Sequence, residues 1–197
     1  MIFKDIAQGN NWQVYHSGIG NTKFMLLDTY DTAGTAATRW NNTTPSTTHI
    51  TLGVSGHVNG PDGSGGYIAY VWTPKTGVSH FGTYTGNQSS PNKVTTGFRP
   101  RWIMVKTHDG SSAYAGWTIV DASRSTGWAE SGTATITTVA DLPPFYADNA
   151  KQEGQRNNST AASQSTIDIY DDGFKFTGPG DAESNWTGQG YITAAFA

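Results

Sequence analysis

SHFGTYTGNQSSPNKVTTGFRPRWIMVKTHDGSSAYAGWTIVDAS, residues 79–123, carries the clearest strand and turn signals in the chain. RPRWIMVK (Arg99 to Lys106) is a short apolar run rich in β-formers. Pro100 opens it, and a residue that cannot donate to a ladder suits the first position of a strand. HDGSSAYAG (His108 to Gly116) is polar and glycine-bearing, as a hairpin loop is. GWTIVD (Gly116 to Asp121) alternates, with Trp117, Ile119 and Asp121 on one face and Thr118 and Val120 on the other. The stretch therefore reads turn, strand, turn, strand.

Working outward, the same pattern opens the chain. MIFKD (Met1 to Asp5) echoes IMVKT (Ile103 to Thr107), and NWQVYH (Asn11 to His16) echoes GWTIVD. GGYIAYVW (Gly65 to Trp72) is echoed by QGYITAAFA (Gln189 to Ala197). Lys106 follows Lys4 by 102 positions, Trp117 follows Trp12 by 105 and Gly190 follows Gly66 by 124. Three elements keep their order while the offset grows, so the reading is an internal duplication whose second copy carries extra residues in its middle. The expected architecture is an all-β, jelly-roll-like β-sandwich, with residues 1–78 as a first β-repeat and 79–197 as a second, packed together as one unit.

GVSHFGTYTGN (Gly77 to Asn87) and TGFRPRWIMVK (Thr96 to Lys106) resemble a recurrent region of bacteriophage virion proteins, found in tail-fibre and tail-spike-like chains of marine phages. NWQVYHSGIGNTKFMLLD and the closing GYITAAFA resemble the same region. The resemblance implies a virion structural protein, assembled in the host cytoplasm, that contacts other virion subunits and host surface polysaccharide. A homo-oligomer is expected, a trimer among the options. No catalytic residues come with the resemblance. Trp102 has no counterpart before Met1, which fits a piece of a longer protein.

Composition agrees with an all-β reading. Charged residues make up 14% of the 197, aromatics 12%, and there are 24 glycines. Disorder would need few aromatics and high charge. A net charge of −3 offers no basic footprint for nucleic acid. No apolar run reaches membrane-spanning length, and no cleavable apolar leader is read at the N-terminus. With no cysteine, disulfides and thiolate metal sites are excluded.

Further expectations follow in chain order. Phe24 to Leu27 reads as a strand buried on both faces, and HITLGV (His49 to Val54) as another strand. Nothing in the first copy reads as a helix. Beyond Asp121 lies a long polar region, 123–165, with a strand at Thr133 to Val139 and a helical turn at Lys151 to Gln155. STIDIY (Ser165 to Tyr170) and FKF (Phe174 to Phe176) flank the turn signal Asp171-Asp172-Gly173.

Candidate chemistry is sparse. Asp168, Asp171 and Asp172 would be the carboxylates of a glycan-cleaving spike, which needs a pair across the scissile bond, but Asp is favoured at hairpin turns for its own backbone bonds. The five histidines show no paired zinc spacing, and no cofactor or metal is expected. Trp12, Trp117 and Trp72 fall in strands and are expected in the core. Trp40, Trp128, Tyr146 and Trp186 fall in polar loops and are the candidate glycan-stacking rings. The expected function is a non-enzymatic adhesin in a tail fibre or other appendage. Capsid decoration or fibre assembly is the alternative, and a polysaccharide-degrading spike ranks below both.

Overall fold

A computed structural model describes residues 1–60, 66–88, 92–110, 116–136, 143–148, 166–177 and 183–197. The helical turn expected at Lys151 to Gln155 lies outside them, as does the end of the Thr133 to Val139 run.

The chain is all-β, and among the described residues every strand pair is antiparallel. The first sheet uses β1 (Ile2–Asp5), β2 (Gln13–Val14), β3 (Lys23–Leu26), β4 (Gly34–Thr35) and β5 (Tyr67–Tyr70), in the order β4-β3-β2-β1-β5. A second sheet is built from β6 (Ser79–Thr85), β8 (Trp102–Thr107), β9 (Thr118–Asp121), β11 (Phe145–Tyr146) and β14 (Gly190–Phe196), in the order β11-β9-β8-β14-β6. A third holds β7 (Val94–Thr95), β10 (Ala134–Ile136), β12 (Thr166–Tyr170) and β13 (Gly173–Thr177), in the order β10-β12-β13-β7. The first sheet is thus drawn entirely from residues before Val78 and the other two from residues after it.

The first and second sheets share order and register. The order β3-β2-β1-β5 corresponds to β11-β9-β8-β14. Ile2 faces Val14 and Phe3 faces Gln13, as Met104 faces Ile119 and Val105 faces Thr118. On the other side, Lys4 faces Ile68 and Asp5 faces Tyr67, as Lys106 faces Ile192 and Thr107 faces Tyr191. One more residue on either strand would turn every side chain to the opposite face.

The second sheet lies between the other two. Its Ile103, Val105, Val120 and Ala195 pack on Ile136, Ile167, Ile169, Phe174 and Phe176 of the third sheet. Alternation sends the neighbouring residues the other way, and Trp117, Ile192 and Met104 meet Val14, Met25 and Ile2 of the first sheet. A third cluster, Phe3, Tyr15, Trp40 and Val58, fills the outer face of the first sheet.

Several local expectations change. In Phe24 to Leu27 only Met25 is fully buried, yet both faces of β3 are covered: Phe24 packs on the outer cluster beneath Arg39, and Met25 and Leu27 on the cluster shared with the second sheet. His49 to Val54 forms no strand: Gly53 N–H donates to Arg39 O at 2.9 Å and Ser55 N–H to Thr38 O at 3.1 Å, which lays this segment on a single α-helical turn, Ala37–Trp40. A Cβ at Gly53 would sit 2.1 Å from Thr38 O, so only glycine permits that approach. The Asp171-Asp172 turn closes the β12–β13 hairpin as expected, with Tyr170 opposite Gly173.

Candidate functional site

Equivalent register places equivalent chemistry on the first two sheets. In each, a lysine at one strand position reaches across to a tryptophan on the neighbouring strand. Lys4 Nζ lies 5.8 Å from the ring centre of Trp12, and Lys106 Nζ lies 5.2 Å from that of Trp117. An aspartate holds each tryptophan's backbone: Trp12 N–H donates to Asp28 Oδ1 at 3.2 Å, and Trp117 N–H to Asp148 Oδ1 at 3.0 Å.

The surroundings of the two sites differ. The second is closed by the first sheet, whose chain after β3 lies over it. Trp117 Nε1–H donates to Leu26 O at 2.8 Å, and Lys106 Nζ donates to Thr29 O at 3.0 Å. Both side chains are fully buried. Burial pulls the Lys106 ammonium down to about 8, against the pull of Asp148 and Asp31, and it pushes the Asp148 carboxyl up.

The first site is open. Trp12 is half-buried, and its ring begins a row along the β5 edge: Trp12 and Tyr70 stack at 6.4 Å between ring centres, and Tyr70 and Trp72 at 6.2 Å with planes 14° apart. Tyr70 and Trp72 are 44 and 43% exposed. Lys4 Nζ donates to Asn10 O, and Asn10 Nδ2 donates to Asp5 Oδ2 at 3.0 Å, so an ammonium donor borders the Trp12 ring. Trp72 also borders a cavity of about 250 Å³ between the two sheets, facing Phe81, Trp102, Met104, Ile119 and Phe196.

Three of the four loop aromatics expected at the surface are buried. Trp40 is 1% exposed; its ring packs on Phe3 and Tyr15 at 5.5 and 5.6 Å, and Nε1–H donates to Lys23 O at 2.8 Å. Tyr146 is 3% exposed, its hydroxyl donating to Glu183 Oε2 at 2.9 Å. Trp128 is 8% exposed in the core between the second and third sheets, with Nε1–H on Pro100 O at 3.1 Å. Trp40 ends the helical turn, Tyr146 lies in β11 and Trp128 in a polar loop, and in each case the ring turns inward and its polar atom finds a partner there. Trp186 alone is at the surface, 46% exposed, and it stands apart from the others.

The core expectation holds for Trp117 and not for Trp72 or Trp12. The signal that could have found the open row is the spacing Tyr70-x-Trp72 on a strand, which puts both rings on one face.

The turn carboxylates are engaged in ion pairs. Asp168 meets Lys175 at 3.1 Å, Asp171 meets Arg99 at 3.0 Å, and Asp172 meets Lys93, whose hydrogen bond holds the Asp172 carboxyl below the usual range. Among the described residues no three His, Cys, Asp or Glu side chains gather as a metal site. His16 is buried: Nδ1 accepts from Gly18 N–H at 3.1 Å, so Nε2 carries the proton and donates to Thr193 O at 3.2 Å. Desolvation lowers this imidazole to about 4.

A family model described as "Domain of unknown function (DUF7483)" matches residues 1–197. No curated protein and no solved structure matches the chain.

Proposed function

We propose that this chain, which belongs to the DUF7483 family over its full length, is a non-enzymatic phage virion module that binds neutral surface glycan on the row Trp12–Tyr70–Trp72. The observation that carries the reading is the row itself: three stacked rings on one sheet face, two of them exposed. Large exposed rings mark interaction sites. Flat sugar faces stack on such rings, and the Lys4 ammonium beside Trp12 suits hydroxyls. The adhesin expected from the sequence thereby keeps its chemistry and moves to other residues. Its contact is made by a strand edge, with Trp186 as a separate, single ring. The shared register of the two sheets supports treating the two halves as copies of one unit, with the glycan row on the copy that stays open.

Affinity electrophoresis through gels containing neutral glucan or mannan tests this. Retardation is expected to persist at about 1 M salt, where the screening length falls to ~3 Å and charge pairs are suppressed. Tyr70→Ala and Trp72→Ala should each abolish it in protein that still folds. Retardation unchanged in both variants, or none in any gel, sinks the reading. A role in capsid decoration or fibre assembly is the second reading, favoured by the exposed Ile68 and Val71 on the same edge.

A further inference from the structure

The outer side of β5 is where the two matched sheets part company. In the second sheet, β14 holds the place that β5 holds in the first, and it is paired on both sides. β8 lies along one edge, and β6 lies along the other over seven residues, from Gly190 opposite Thr85 to Phe196 opposite Ser79. Among the described residues β5 pairs with β1 alone.

The alternation of an antiparallel ladder says which backbone groups this leaves. Ile6 N–H donates to Gly66 O at 3.2 Å, so the even-numbered residues from 66 onward bond β1. Tyr67, Ala69 and Val71 therefore aim N–H and C=O away from the sheet, and among the described residues no backbone group meets them. In β14 the residues in those places, Tyr191, Thr193 and Ala195, are the ones opposite Tyr84, Gly82 and His80 of β6. Edges are ordinarily guarded by lysine, proline or a bulge. Tyr67 to Trp72 contains neither lysine nor proline, and Ile68, Tyr70, Val71 and Trp72 are all exposed.

We propose that the outer edge of β5 accepts an added antiparallel strand of the β6 kind, supplied by another polypeptide. The chain itself contains the template for the complex, in β6 on β14. The docked strand is extended, uncharged and alternating, with a small residue opposite Ala69 where β6 sets Gly82 opposite Thr193. Backbone bonds supply the affinity, as in other strand additions. The glycan reading uses ring faces and this one uses backbone groups, so the two fail separately.

The test is amide hydrogen exchange on the intact chain with a synthetic peptide of residues 77–87, GVSHFGTYTGN. The peptide is expected to slow exchange at Tyr67, Ala69 and Val71 saturably, by about tenfold or more, and to leave the Ile68 and Tyr70 amides as they were. Ala69→Pro removes an outward donor without touching a bond to β1, a placement that edge strands tolerate, and should abolish the effect. A peptide N-methylated at His80, Gly82 and Tyr84 carries the same test on unaltered protein and should not bind. Equal protection by the methylated peptide, or none by the native one, overturns the proposal. So does concentration-dependent protection of the same amides without peptide, which would assign the edge to a second copy of this chain.

Discussion

Lys4 with Trp12 and Lys106 with Trp117 are one arrangement met twice, and its two fates show what burial does to identical chemistry. Both pairs sit on matched strands, and both tryptophans are anchored by an aspartate. The second pair is sealed under Leu26 and Thr29, loses water, and becomes a structural contact between sheets. The first keeps water and joins an exposed row. The lesson is that the function of such a pair is assigned by what lies over it and not by the residues that compose it.

Substitutions can break that comparison, and the largest effect is expected at Trp117. Trp117→Ala empties a filled site between two sheets and should cost about 3–5 kcal/mol, whereas half-buried Trp12→Ala should cost only ~1–1.5 kcal/mol. Denaturant unfolding of the two variants measures the gap. Equal losses would mean that the first site is as closed as the second.

The next effect concerns His16, which ties the end of β2 to β14 across the two regions. Its folded value of about 4 lies below the ordinary 6.5, so the neutral form is favoured by folding. Its contribution is complete above pH 6.5 and is lost as pH falls towards 4, roughly 3 kcal/mol in all. In His16→Gln the difference in unfolding free energy between pH 7 and pH 4 should shrink by about that amount. An unchanged difference would place the acid sensitivity elsewhere.

The smallest effect is expected at Lys4. A partly solvated cation over a ring is worth about 0.5–1 kcal/mol and its hydrogen bond to Asn10 O about 0.5–1.5 kcal/mol, so Lys4→Met should cost no more than about 2 kcal/mol. Lys106→Met is different in kind: it removes a buried charge with its desolvation cost and also the donor to Thr29 O, and these terms oppose each other. A loss of several kcal/mol at Lys4 would show that its site is covered in solution.

Much of the secondary structure was legible from short apolar or alternating runs bounded by turn residues, as in Met1 to Asp5, Arg99 to Lys106, Gly116 to Asp121 and Gln189 to Ala197. The hairpin at Asp171-Asp172 was legible from turn chemistry. Trp40, Trp128 and Tyr146 were not. Their polar neighbours suggested solvent, yet each ring folds inward to a partner for its N–H or O–H, a choice made by residues 17 to 37 positions away.

By itself, then, the sequence determined that the chain is all-β and where several of its main strands fall. Which of the two lysine–tryptophan pairs would be covered was decided only in the folded chain. Trp12 follows an asparagine and Trp117 a glycine in otherwise similar strands, and nothing local to either says that the chain after β3 will lie on the second and leave the first in water. Burial depends on contacts between residues tens of positions apart, and a local pattern carries no record of them.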